Sequence, residues 1–159
     1  MQRLCAVMAL AMALLMSAPG TATADVTAFL SSATTPTTRA GKGVAIGVGL
    51  IMVGFEFEYA NINENQATAA PSLKTGMGNV VVMTPTHKLQ LYGTTGGGLY
   101  RERLGDFTTT SFGTNLGGGA KIALAGPFRL RVDYRIFRLN GTPLYKTVKR
   151  MYAGLSLSF

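Results

Sequence analysis

From residue 128 to residue 136 the chain alternates without error. Phe128, Leu130, Val132, Tyr134 and Ile136 are apolar, and Arg129, Arg131, Asp133 and Arg135 between them are charged. A strand sends successive side chains to opposite faces, so one face of this segment is apolar and the other carries three arginines and an aspartate. The last residues repeat the pattern, with Met151, Ala153, Leu155, Leu157 and Phe159 set against Arg150, Tyr152, Gly154, Ser156 and Ser158.

The same period recurs upstream. Val44, Ile46, Val48 and Leu50 alternate with Ala45, Gly47 and Gly49, and Val53, Phe55, Phe57 and Tyr59 with Gly54, Glu56, Glu58 and Ala60. Weaker strands are predicted over 25–31, where Phe29 competes with Val26, Ala28 and Leu30, and over 76–83, where three valines are consecutive. Further strands fall at 89–100 and 112–124. Polar segments at 32–42, 61–75, 101–111 and 139–149 read as long loops, and 51–52, 84–88 and 125–127 as tight turns. Long and short connections alternate. The fold class this predicts is all-β: eight antiparallel strands closing an up-and-down transmembrane β-barrel, with all long loops at one end.

The glycine triplets 96–98 and 117–119 leave the register of the fifth and sixth strands open. A loop confined to 101–111 offsets the triplets by three residues, and one running on to Thr114 places them side by side as a thin patch of wall. Neither triplet is followed by a helix-forming segment or a phosphate-loop lysine, so a nucleotide site is not expected.

The N-terminus changes the accounting. Arg3 precedes an uncharged apolar run over 4–16, Pro19 and Gly20 follow, and Ala22, Thr23 and Ala24 offer small residues for cleavage. Residues 1–24 therefore read as a secretory signal peptide and 25–159 as the mature domain. Thirteen apolar residues rise only about 20 Å as a helix, too short for a hydrocarbon core of roughly 30 Å. Cys5, the single cysteine, would leave with the signal. An exported domain without disulfides needs another source of stability, and a bilayer supplies one.

Which face looks inward follows from the polar positions. They are small (Gly47, Gly49, Gly54, Ala60, Gly154, Ser156) with a few charges of both signs, the composition of a cramped lumen rather than of a solvated face. The expected lumen network is Glu56, Glu58 and Asp133 with Lys121, Arg129, Arg131 and Arg135. Buried unpaired charge is costly, so these groups should pair. The chain carries 15 Lys and Arg against 7 Asp and Glu, net +8, or +7 without Arg3. Arg39, Lys42, Arg101, Arg103 and Lys146, with Lys74 and Lys149, fall in expected outer loops, where they could contact lipopolysaccharide phosphates. No basic patch interleaved with aromatics suggests nucleic acid.

The signal peptide, the eight alternating strands and the terminal run from Tyr152 through Gly154 to Phe159 resemble the small outer-membrane barrels typified by opacity proteins and the membrane domain of outer membrane protein A. In that family an alternating terminus ending in an aromatic is read by the barrel-assembly machinery, and Leu155, Leu157 and Phe159 match it. The chain departs from the pattern in having no tryptophan, and no peptidoglycan-binding domain is expected after Phe159. The resemblance implies a monomer in outer-membrane lipid with a structural or surface-interaction role. A narrow porin-like channel for small ions and a periplasmic lipid-binding barrel are the alternatives.

An enzyme is not expected. His87 is the single histidine and falls in a tight turn at the end opposite the long loops. With no second histidine and no cysteine in the mature chain, neither a zinc site nor another metal or cofactor is expected.

Overall fold

The computed structural model describes residues 22–50 and 52–159. Of the expected signal segment, residues 1–21 lie outside the described residues. Eight strands follow in chain order: β1 (Ala22–Ala33), β2 (Arg39–Leu50), β3 (Val53–Ile62), β4 (Ser72–Met83), β5 (Leu89–Leu104), β6 (Phe107–Ala123), β7 (Phe128–Leu139) and β8 (Thr147–Ser158). Each pairs antiparallel with its sequence neighbours, and β8 pairs with β1 to close the barrel. The only helical turn among the described residues is Gln66–Thr68, in the β3–β4 loop.

Closure fixes the dimensions. Following paired residues once around the barrel from Leu157, through Ile46, Gly78 and Thr114, returns to β8 at Thr147, ten residues from the start. With a rise of about 3.3 Å per residue and strands about 4.8 Å apart, this stagger tilts the strands by about 40°. The backbone radius is then about 8 Å, just enough for side chains to fill the interior.

The outward face is the apolar one. Phe55, Phe57, Leu99, Leu116, Met151 and Phe159 are all exposed, whereas Glu56, Glu58, Arg131, Asp133, Arg135 and Arg150 are buried. The nine residues from Met151, in β8, to the terminal Phe159 span roughly 20 Å along the barrel axis at that tilt, close to the ~25 Å of a bilayer-facing apolar band. Phe29 settles the ambiguous first strand by turning inward, where its ring stacks on Tyr152 with centroids 4.1 Å apart and planes 19° from parallel.

The loops are shorter than the pattern predicts, because the strands run on past the apolar band. The clearest correction is the expected loop at 101–111. It is paired strand, and only Gly105 and Asp106 connect β5 to β6, with Gly105 at φ +55. The hairpin partners Gly97 with Thr114 and Gly93 with Gly118, so the two glycine triplets are not side by side. The connection lengths do not alternate cleanly either, since β4–β5 is longer than β5–β6.

Candidate functional site: the lumen and the outer rim

The lumen has three layers. At the end holding the termini, Lys121 of β6 pairs with Asp25 of β1 beside a cavity of about 20 Å³, room for a single water. At the loop end, Ala33, Ile62, Leu73, Met77, Tyr100, Phe137, Leu139 and Val148 form an apolar plug in which every member is at most 3% exposed. Between them lies an ionic layer.

β3 and β7 supply that middle layer because each places charged residues at alternate inward positions. Glu56 bridges Arg131 and Arg135, the latter at 2.8 Å. Asp133 sits 2.9 Å from Arg135 and 3.4 Å from Arg131. Glu58 lies 3.2 Å from Arg135 and 2.5 Å from Arg150. The Arg135–Glu58 contact lacks hydrogen-bond geometry, so Arg135 is held mainly by Glu56 and Asp133. Neutral groups complete the net. The Tyr92 hydroxyl donates to Asp133 at 2.6 Å and accepts from Arg131 Nε at 2.7 Å. Asn115 donates to Asn79 at 2.7 Å. Aromatic rings take the guanidinium faces: Arg131 lies 4.8 Å from the Tyr92 centroid and Arg150 4.6 Å from that of Phe137.

Lumen glycines supply the space. A β-carbon at Gly117 would lie 2.7 Å from Arg135 Cγ, and one at Gly119 would lie 2.6 Å from the Tyr92 hydroxyl. The inward glycines of the second triplet thus clear room for neighbouring side chains, Gly117 for Arg135 of β7 and Gly119 for Tyr92 of β5, and not for the other glycine triplet.

Of the seven expected network residues, six are brought into ion pairs: Glu56, Glu58, Lys121, Arg131, Asp133 and Arg135. Arg129 is the exception. It faces inward but is only half-buried at the terminus-end mouth, beside the small cavity, with no ion pair among the described residues. Asp25 and Arg150 join the network unforeseen. Arg150 occupies an inward position in the alternation of β8, which was the signal for it; Asp25 opens the weakest strand and carried none.

At the outer rim the expected contacts divide. Arg39 is corrected: it is not a loop residue but the first residue of β2, buried at 4% exposure and donating to the Thr35 carbonyl. Its position in β2 is an inward one, so its charge cannot meet a lipid headgroup. Lys42, Arg101 and Arg103 are exposed on outward strand positions, and Lys146 is exposed in the β7–β8 loop. That loop is tied down by Leu144 N, which donates to Glu102 at 2.9 Å, and by the Tyr100 hydroxyl, which donates to the Asn140 carbonyl. Leu155, Leu157 and Phe159 all face outward, and Phe159 exchanges two backbone hydrogen bonds with Ala24 across the closing seam.

No curated protein sequence matches the chain. Among solved structures it is similar to Neisserial surface protein A, with a TM-score of 0.69 and 17% identity over 87% of this chain and 97% of that one. It is similar to Ail of Yersinia pestis in complex with the heparin analogue sucrose octasulfate, with a TM-score of 0.54 and 13% identity over 87% and 97%. It is also similar to the outer membrane enzyme PagL, with a TM-score of 0.56 and 12% identity over 84% and 98%. At these identities the likeness is one of fold. The family described as "Outer membrane protein beta-barrel domain" matches residues 4–159, and the chain belongs to that family of outer-membrane proteins.

Proposed function

We propose that this outer-membrane barrel is a closed, non-conducting, monomeric wall element whose role is structural and surface-interactive. The observation that carries the reading is the double obstruction of the lumen. Arg131, Arg135 and Arg150 are each fully buried within an ionic layer, and an apolar plug lies beyond it at the loop end. An ion crossing would have to break paired charges and then enter an apolar constriction, each step costing several kcal/mol. Purified protein in planar bilayers should give no reproducible unitary conductance at 1 M salt, a concentration set by the assay. Steady single-channel steps would overturn the closed-lumen reading in favour of a narrow channel.

A catalytic role is not part of this reading, although a barrel enzyme, PagL, shares the fold. His87 is exposed in the turn at residues 84–88, where the neighbouring Thr84 and Thr86 hydroxyls bond each other at 2.9 Å. That turn lies at the terminus end, which the reading places in the periplasm, away from outer-leaflet lipid. The outward apolar band argues against the periplasmic lipid-carrier reading, because a soluble barrel would hold its apolar residues inside. The signal peptide and recognition of Leu155, Leu157 and Phe159 by the assembly machinery complete the proposal; cleavage after Ala24 removes the first three residues of β1 and with them the two Ala24–Phe159 hydrogen bonds.

A further inference from the structure

Four outward-facing strand cations, Lys42, Lys74, Arg101 and Arg103, lie on β2 to β5, against Arg138 and Lys149 on β7 and β8. Pairing places Leu30, Lys42, Asn61, Lys74 and Arg101 in one row across β1 to β5. Lys74 and Arg101 are direct cross-strand partners, about 5 Å apart by strand spacing. Like charges set opposite each other destabilise a sheet, and among the described residues none of Lys42, Lys74, Arg101 or Arg103 has an ion-pair partner. Lys74, Arg101 and Arg103 line a groove of about 320 Å³. Its single carboxylate, Glu64, is engaged by the Gly105 N–H at 3.2 Å.

A second feature adjoins the groove at Asn61, on the β8–β3 side. A furrow of about 640 Å³ opens in the apolar wall, with Ala28, Ala153 and Gly154 in its lining, and Lys42 and Asn61 in its lining as well. Asn61 lines the groove too, so the two are continuous. One row below Lys74 stands Gly76, between Leu99 and the furrow-lining Tyr59 but outside the furrow's own lining. A β-carbon there would meet nothing within 4 Å, so nothing inside the chain requires glycine at that position.

We infer that this wall holds one outer-leaflet glycolipid bearing both phosphate and several acyl chains, with its phosphates on Lys74, Arg101 and Arg103 and an acyl chain in the adjoining furrow. The inference deepens the surface-interactive half of the proposed function and is independent of whether the lumen conducts. The opposite wall offers a contrast: Arg138 faces Thr114 and Thr147 directly, with Lys149 only diagonal to it, so no two outward-facing cations are direct cross-strand partners there.

Native mass spectrometry of the folded protein in neutral detergent, titrated with bisphosphorylated lipid A, tests it. Charge-assisted hydrogen bonds are the strong ones, so Lys74→Gln with Arg101→Gln should weaken binding by about tenfold or more, while Arg138→Gln leaves it unchanged. Ala153→Leu, which fills the furrow, should weaken lipid A binding while leaving binding of glucosamine phosphate intact. Equal loss in Arg138→Gln, equal binding of phosphatidylglycerol, or equal binding of phosphate-free lipid A would overturn the site, leaving a non-selective basic rim. Unaffected lipid A binding by Ala153→Leu would overturn the acyl furrow. Mobility on gels with and without boiling verifies folding of every variant, so loss of binding is read only on closed barrels.

Discussion

Replacing Glu58 by glutamine should be the most damaging single change in the lumen. Arg150 is fully buried, and its one carboxylate partner is Glu58; its Nε and second terminal nitrogen make no hydrogen bond. The Phe137 and Phe29 rings, 4.6 and 5.4 Å away, offer the guanidinium a quadrupole but no countercharge. Arg135, by contrast, would keep Glu56 and Asp133. Removing one partner of a buried pair costs about 3–5 kcal/mol, because the other charge stays buried and uncompensated. At an m-value of about 2 kcal/mol per molar urea, the midpoint should fall by roughly 2 M. Removing both charges should cost less than removing one, since replacing a buried pair with neutral groups is often close to neutral. Arg150→Met in the Glu58→Gln background should therefore recover at least about 2 kcal/mol. The assay is equilibrium urea unfolding in lipid vesicles, followed by circular dichroism and by cold-detergent gel mobility. A Glu58→Gln midpoint within about 0.5 kcal/mol of the parent, or additive effects in the double variant, would refute the buried-pair reasoning.

Three further outcomes are expected. Arg129→Gln should change stability by less than about 0.5 kcal/mol, since this arginine is half-buried and has no ion pair, and a large loss in the same urea assay would place it in the network. Gly119→Ala should destabilise by about 1–3 kcal/mol, because its β-carbon would lie 2.6 Å from the Tyr92 hydroxyl, whereas Gly76→Ala should leave the midpoint unchanged or raised. Phe159→Ala, at a side chain 70% exposed to lipid, should lower the amount of protein reaching the outer membrane several-fold while moving the urea midpoint of refolded protein little; parallel losses in both would make Phe159 a stability residue and not an assembly signal.

Strand identity was legible wherever one face meets lipid and the other a cramped lumen, because period two then carries both polarity and size. β7 and β8 show this most plainly. The sequence misled at the membrane boundary. Leu99, Arg101 and Arg103 continue one outward row, and the change from leucine to arginine reads as the end of a strand. It is the end of the bilayer instead. The backbone goes on pairing to Leu104 and Phe107, since a hairpin outside the lipid still satisfies its hydrogen bonds, and there its outward side chains are free to be charged. Arg39 was misplaced by the same confusion. The polar Thr-rich segment before it is loop, but β2 begins on Arg39 itself, and an inward first position buries a residue that composition assigns to the surface.

Glycine is the residue whose meaning the sequence could not divide. Gly117 and Gly119 face inward, where a methyl group would strike the β7 backbone carbonyls and the Arg135 or Tyr92 side chain; their smallness is the counterpart of a close-lying β7 backbone and of large side chains in β5 and β7. Gly76 and Gly78 face outward in β4, where the nearest atom to an added β-carbon is at least 3.9 Å away. No contact within the chain accounts for them, although a valine there would favour the strand. Alternation assigns each glycine to a face but not a reason, because the reason lies in what fills the space beside it. For the inward glycines that filler is encoded a strand away in the same chain. The outward ones open onto the membrane beneath the unpaired cations Lys74 and Arg101, so a glycolipid with its phosphates on those cations and one chain in the adjoining furrow has room for a further chain against Gly76.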